Sequence, residues 1–118
     1  MAFGVRQILE FLADPRDPVR RIVAVGGGTK GGLWAQIVSD VTGREQHIPA
    51  QTIGACYGDA LLSAVRLGLV PPDTDWAVTE TTVRPQPRTR EVYDRLYPSY
   101  TELYPATLDI IHGLAGIQ

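Results

Sequence analysis

Hydrophobic residues near the start of the chain recur at helical spacing. They are Val5, Ile8, Leu9 and Leu12, and the pair Asp14-Pro15 follows them. Spacings of three, one and three residues line one face of a helix, and a residue that precedes a proline disfavours helical backbone. The pattern predicts a short helix over residues 3–12.

A compact run of apolar residues, Arg21 to Val25, stops abruptly at the three glycines 26–28. Such a run before a glycine turn predicts a buried strand. Beyond Gly31, apolar residues return at helical spacing up to Gly43, a typical helix stop: Leu33, Trp34, Ile37, Val38 and Val41. The predicted order is strand, glycine loop and helix, with Trp34 in the core.

Two more elements are predicted in the middle of the chain. Residues 46–48 form a short extended segment, and residues 54–67 form a second helix that stops at Gly68. Residues 71–90 are rich in proline and threonine. Because prolines are excluded from central strands, we expect this segment to be a surface arm with at most a short edge strand.

Tyrosines at helical spacing dominate the last part of the chain, residues 91–118. Tyr93, Tyr97, Tyr100 and Tyr104 are separated by four, three and four residues. This spacing predicts a terminal helical segment that packs its tyrosines inward. Pro98 and Pro105 fall within it, and we expect each to kink or restart the helix.

Composition narrows the class of protein and its partners. A length of 118 residues suits one domain, and 44% hydrophobic with 20% charged residues is typical of folded chains. A net charge of -2 gives no basic excess, so no nucleic acid partner is expected. No apolar run reaches the roughly 20 residues of a membrane helix. The single cysteine, Cys56, fits the reducing cytoplasm and is expected to be a small buried residue.

The glycine loop carries the candidate chemistry. Glycines between a strand and a helix let a ligand approach bare backbone and the free N–H groups of the helix start. Gly26, Gly28 and Gly31 also fit G-x-G-x-x-G, the dinucleotide motif. A Rossmann unit needs an acidic residue after the next strand, whereas residues 48–51 hold none. Lys30 is followed by glycine, so the loop is not a Walker A motif.

A family resemblance extends this interpretation. The stretch VAVGGGTKGGLWAQIVSDVTGREQ resembles the adenosine segment of the FGGY carbohydrate kinases. Residues 54–69 are similar to the next helix of that family, and residues 76–118 to the tail of its xylulokinase-like members. The positions that fall in step with the family in the first stretch are Gly26, Gly27, Gly28, Thr29, Lys30, Trp34, Gln36, Asp40 and Gly43.

The resemblance implies an α/β fold that is part of a ribonuclease H-like ATPase domain of the actin/hexokinase superfamily. Residues 1–118 would be the C-terminal nucleotide-binding portion of the second domain of a kinase that transfers the γ-phosphoryl group of ATP to a sugar with Mg. The expected cofactor-binding residues are Gly26, Gly27, Gly28, Thr29, Lys30 and Gly31. The phosphate loops and the catalytic aspartate of the family lie upstream of this segment, in a missing N-terminal portion. We therefore assign no catalytic or metal-binding residue.

Two alternatives stay open from the sequence. One is a Rossmann-type dinucleotide-binding module, and the other is an inactive kinase remnant that acts in oligomerisation, for instance as a homodimer. The likeness of the tail to xylulokinases favours a ketopentose substrate. Asp40 is expected to be a helix-end carboxylate held by local backbone or an arginine. His47 and His112 have no second ligand at a metal-binding interval.

Overall fold

The computed structural model describes residues 1–117 and has both helices and strands. Four α-helices, two strands and one short 3₁₀ turn follow in this order: α1 (Ala2–Phe11), the turn (Gly27–Thr29), α2 (Leu33–Thr42), β1 (Gln46–Pro49), α3 (Ala55–Arg66), β2 (Thr79–Val83) and α4 (Pro87–Ala115). The three helices predicted at residues 3–12, between Gly31 and Gly43, and at residues 54–67 are confirmed as α1, α2 and α3. Their bounds differ from the predicted ones by one or two residues.

The two strands form a small antiparallel sheet. Gln46 pairs with Val83 at one end and Pro49 with Thr79 at the other, with an irregularity between Ile48 and Pro49. The segment predicted as a surface arm, residues 71–90, therefore contains β2 as its edge strand. It also overlaps the first turn of α4, which begins at Pro87.

The predicted strand at Arg21–Val25 forms only a single parallel bridge, from Val23 to His47. The His47 N–H donates to Ile22 O over 2.8 Å, and the Ala24 N–H donates to His47 O over 2.9 Å. Val23 and Val25 are 36% and 51% exposed, so the prediction of a buried strand is wrong here. The segment has a neighbour on one edge only, and nothing within residues 1–117 covers both of its faces.

The core is small and centres on α2. Its buried hydrophobic residues are Ala35, Val38, Val41 and Tyr97. Many large apolar side chains on the other helices are exposed, including Phe11, Leu62 and Ile110. The radius of gyration is 18.2 Å, whereas a compact chain of this length has about 13 Å. The molecule is thus an open arrangement that leaves apolar helix faces exposed.

The long helix α4 contains both prolines without interruption. Pro98 and Pro105 were expected to kink or restart it. The helix does not restart, since α4 runs through 29 residues, and the expectation of a kink stays a prediction. Each proline removes one backbone hydrogen bond, and the turns on both sides keep theirs, so the helix continues. Tyr97 is buried, whereas Tyr104 is 62% exposed. The tyrosines therefore pack inward only in the first half of α4.

An aromatic cluster joins α1 to α4. Phe3 packs against three tyrosine rings of α4, with centroid distances of 6.0, 5.6 and 5.3 Å: Tyr93, Tyr97 and Tyr100. Offset and edge-to-face contacts of this kind stabilise a helix pair beyond the buried area itself. The helical spacing of Tyr93, Tyr97 and Tyr100 places all three rings on the side of α4 that faces Phe3.

A charged network surrounds the same contact. The guanidinium of Arg6 lies 4.0 Å from the ring centroid of Tyr97 and donates to Glu10 over 2.9 Å and to Asp94 over 2.5 Å. The Tyr97 hydroxyl donates to Glu10 over 2.7 Å. Hydrogen bonds from Arg6 lower the pKa of both carboxyl groups, and the Tyr97 hydroxyl also lowers that of Glu10. The network fixes α1 on α4 beside α2.

Candidate nucleotide-binding site

The glycine bend begins where the extended segment ends. The Gly26 N–H donates to Thr52 O over 2.8 Å, which holds the bend beside the start of α3. Gly26 has φ 93° and ψ -178°, a backbone conformation that only glycine adopts without strain. The chain then makes the 3₁₀ turn, in which the hydroxyl and the N–H of Thr29 both donate to Gly26 O, over 2.8 and 3.2 Å.

The outer face of the bend is bare. A Cβ atom added to Gly26, Gly27 or Gly31 would meet no heavy atom within 4 Å. The N–H groups of Gly27 and Gly28 have no hydrogen-bond acceptor within residues 1–117. Because no side chain fills this space, a ligand can lie directly on the backbone and accept hydrogen bonds from it.

Gly28 differs from its neighbours because a side chain already occupies its space. A Cβ atom on Gly28 would lie 2.9 Å from Cδ1 of Trp34, so the indole rests against the Gly28 backbone. Trp34 is 38% exposed, and the prediction that it belongs to the core is therefore wrong. The indole lies at the surface, against the glycine bend at the N-terminal end of α2.

The six residues expected to bind the cofactor lie together on this bend. Lys30 is exposed, and its ammonium has no hydrogen bond or ion pair within the described part of the chain. Gly32 has φ 69° and its carbonyl accepts the Gln36 N–H over 3.0 Å, so it starts α2. This role of Gly32 was not predicted, although the two adjacent glycines before an apolar helix are a signal for it.

A buried polar network fixes α2 beneath the bend. The Gln46 amide is 4% exposed and donates to Ala35 O over 2.6 Å and to the Ser39 hydroxyl over 2.8 Å. The Ser39 hydroxyl donates to Val83 O over 3.1 Å. One side of α2 is thereby tied to both strands, and the start of the helix keeps its position relative to the sheet.

Asp40 ties α2 to α4. Its carboxylate is 3% exposed and accepts from the Gln36 side chain over 2.8 Å and from the Gln86 N–H over 2.7 Å. Gln86 is the N-cap of α4, and α4 has no side-chain cap of its own. Asp40 therefore caps α4 from a neighbouring helix. It is a structural carboxylate, as predicted, but its backbone partner lies 46 residues away rather than nearby.

Three other expectations from the sequence concern a metal site, the burial of the cysteine and a membrane helix. Within residues 1–117, no three His, Cys, Asp or Glu side chains are grouped to hold a metal ion. Cys56 is exposed, contrary to the expectation of a buried residue. The described part of the chain also lacks a helix with the length and apolar character to cross a bilayer.

A strand-like segment, a bare glycine bend and a helix start form an arrangement on which α/β proteins commonly bind phosphates and nucleotides. The model of the FGGY family of carbohydrate kinases, C-terminal domain, matches residues 1–67. The chain belongs to this family. The resemblance inferred from residues 23–46 is thereby confirmed, and the Rossmann alternative is not favoured.

Relatives and solved structures agree with this assignment. The chain is 36% identical over 100 residues to the autoinducer-2 kinase of Photorhabdus laumondii, covering 79% of this chain and 18% of that protein. It is 32% identical over 113 residues to the ribulokinase of Geobacillus thermodenitrificans, covering 87% and 20%. The crystal structure of xylulose kinase from Rhodospirillum rubrum matches with a TM-score of 0.69 and 30% identity, covering 94% of this chain and 23% of that one.

Two conclusions follow from the comparisons. The predicted fold class, part of an actin/hexokinase-like ATPase domain, is confirmed by the sugar-kinase structures. The chain spans about a fifth of the length of the relatives that it matches.

Proposed function

We propose that this chain supplies the adenosine-binding part of a kinase that transfers the γ-phosphoryl group of ATP to a hydroxyl group of a sugar. The observation that carries the proposal is the bare bend over residues 26–31, at the start of α2, in a chain of the FGGY family. The unpaired N–H groups of Gly27 and Gly28 offer donors to the nucleotide. Lys30 adds a positive charge beside them.

The role of this chain in catalysis is to bind and orient the nucleotide. Phosphoryl transfer needs metal-bridged phosphates and a carboxylate that accepts the proton of the attacking hydroxyl. The residues described here do not fit a Mg site, since no cluster of ligands is present within residues 1–117. We therefore assign the Mg ligands, the phosphate loops and the catalytic base to the upstream portion of the kinase, and expect the isolated chain to be inactive.

The same upstream portion is the proposed partner of the exposed apolar faces. Residues 1–118 would then be the C-terminal nucleotide-binding portion of the second kinase domain, in the cytoplasm. Phe11 on α1 is 89% exposed and Leu62 on α3 is 69% exposed, and a partner would cover such residues. A homodimer would cover them too. Sedimentation of the chain alone distinguishes the two, because a stable dimer would support the oligomerisation module.

The substrate follows from the relatives only as a class. The names ribulokinase and xylulose kinase support a ketopentose, and autoinducer-2 kinase names another substrate. We propose a small molecule with several hydroxyl groups, with a ketopentose as the first candidate to assay.

Two-dimensional hydrogen–nitrogen correlation NMR of the 12.9 kDa chain tests the binding site. Titration with ATP should shift the backbone amide signals of Gly27, Gly28 and Lys30, and ATP should bind more tightly than NADH, which carries the same adenosine within a dinucleotide. Gly27→Leu fills the open space over the bend and should weaken ATP binding at least tenfold. Gly113→Leu is the matched control, since a Cβ atom at Gly113 also meets open space, far along α4. ATP binding that is equal in both variants would contradict the proposal.

Transfer itself is tested with a chimaera. Residues 1–118 replace the matching C-terminal segment of the Rhodospirillum rubrum xylulose kinase, and phosphorylation of xylulose by ATP is measured. Activity above that of the truncated enzyme supports the proposal. An inactive but folded chimaera that still binds xylulose would count against it.

A further inference from the structure

Trp34 stands out as a residue whose placement the core does not explain. Its spacing with Ile37 and Val38 predicts a core position, yet 38% of its surface is exposed. The indole instead lies along the glycine bend, with Cδ1 2.9 Å and Nε1 3.5 Å from the position of a Cβ atom on Gly28. Glycine at position 28 is thus required by the indole rather than by the turn, because Gly28 does not have a positive φ.

The polar edge of the indole is also unused. The Nε1–H of Trp34 has no acceptor within residues 1–117, whereas a tryptophan N–H that belongs to a packed interior usually finds one. The other tryptophan, Trp76, differs in its packing and not in its N–H, which also has no acceptor among the described residues. Trp76 is half-buried and packs on Tyr57 with a centroid distance of 5.5 Å.

Three features therefore meet at one place: an exposed aromatic surface, an unpaired indole donor and the bare backbone of Gly27 beside the free N–H of Gly28. Planar bases bind on aromatic side chains by stacking, and each such contact contributes on the order of tenfold or more to affinity. The side chains of the bend itself offer less. The Thr29 hydroxyl already donates to Gly26 O, and Lys30 is a cation without a flat surface.

We propose that Trp34 is the side chain that contacts the nucleobase of the bound nucleotide and selects for a base-containing phosphate donor. Gly27 and Gly28 form the floor under the adenosine, and the indole forms the adjoining wall. This inference rests on the proposed function, since it assumes that a nucleotide binds at the bend.

The wild-type chain provides the test without any substitution. It has two indole N–H signals in a nitrogen-resolved spectrum, one each from Trp34 and Trp76. ATP should shift the Trp34 signal and leave the Trp76 signal in place. Tripolyphosphate, which carries the phosphates without a base, should leave both indole signals unchanged.

The outcomes separate the two proposals. If the amide signals of Gly27 and Gly28 shift with ATP and the Trp34 indole signal does not, Trp34 has no contact with the base and the inference is wrong, while the binding site stands. If no signal of the bend shifts, the proposed function fails and this inference fails with it. A Trp34 shift of equal size with tripolyphosphate would also overturn it, since the contact would then be independent of the base.

Substitutions measure the size of the contact. Trp34→Phe keeps an aromatic surface and should bind ATP within about threefold of wild type, whereas Trp34→Leu should bind about tenfold more weakly. Tripolyphosphate affinity should be equal in both variants. A merely structural role for Trp34 would change the affinity for both ligands together.

Discussion

Replacing Asp40 by alanine tests how α2 and α4 are held together. The substitution removes the acceptor of two hydrogen bonds, from the Gln36 side chain and from the Gln86 N–H. The Gln36 amide keeps its bond to Arg84 O at 2.9 Å, whereas the Gln86 N–H is left with no partner. A hydrogen bond to a charged group contributes about 1.5–3 kcal/mol. Loss of a side-chain N-cap typically costs about 1 kcal/mol, which is somewhat less.

One opposing effect reduces this cost. Asp40 lies in the last turn of α2, where a negative charge is unfavourable by about 0.5 kcal/mol. Its removal therefore returns a small part of the loss, and we expect Asp40→Ala to lower the free energy of unfolding by about 2 kcal/mol. Asp40→Asn keeps a neutral acceptor and should cost about 1 kcal/mol.

Urea denaturation of the chain, followed by circular dichroism, measures the change. Asp109→Ala is the matched control, because Asp109 is exposed on α4 and its carboxylate has no hydrogen bond within residues 1–117. Its effect should stay within about 0.5 kcal/mol. Hydrogen exchange should also accelerate in the first turn of α4 in Asp40→Ala. The capping role is refuted if Asp40→Ala behaves like the control and exchange in that turn is unchanged.

Two further predictions follow from the bend and from the charged network. Gly26→Ala should lower the free energy of unfolding by about 1–3 kcal/mol, because φ 93° strains any other residue. Urea denaturation measures this loss. Alanine at a glycine without positive φ is the control and should show no comparable loss. The chain should also lose stability in acid. Arg6 lowers the folded-state pKa of Glu10 and Asp94 below that of the unfolded chain, so their contribution is present above the ordinary carboxyl range and disappears as the pH falls below about 4. Both carboxylates are partly exposed, so the effect should be small. The midpoint of urea denaturation, measured between pH 6 and pH 3, should depend less on pH in Arg6→Leu than in the wild type. An equal pH dependence in the two proteins would show that Arg6 is not its source.

Local sequence predicted the features that depend on chemistry within a few residues. The helix periodicities gave α1, α2 and α3, and Gly43 ends α2 with φ 65°, as its type and position indicate. The glycine bend was predicted for the same reason, since glycines admit backbone conformations that other residues avoid, such as φ 93° at Gly26. The proposal that the bend binds a nucleotide draws on the family resemblance in residues 23–46 and not on periodicity.

Tertiary structure decided the features that depend on distant partners. Trp34 leaves the core because the missing side chain of Gly28 gives its indole a place. Residues 21–25 fail to form a buried strand because they have a neighbour on one edge only. Asp40 finds its main-chain partner 46 residues away, at the start of α4. Hydrophobic spacing within one element carries no information on such contacts, because they depend on which other segments come to lie beside it.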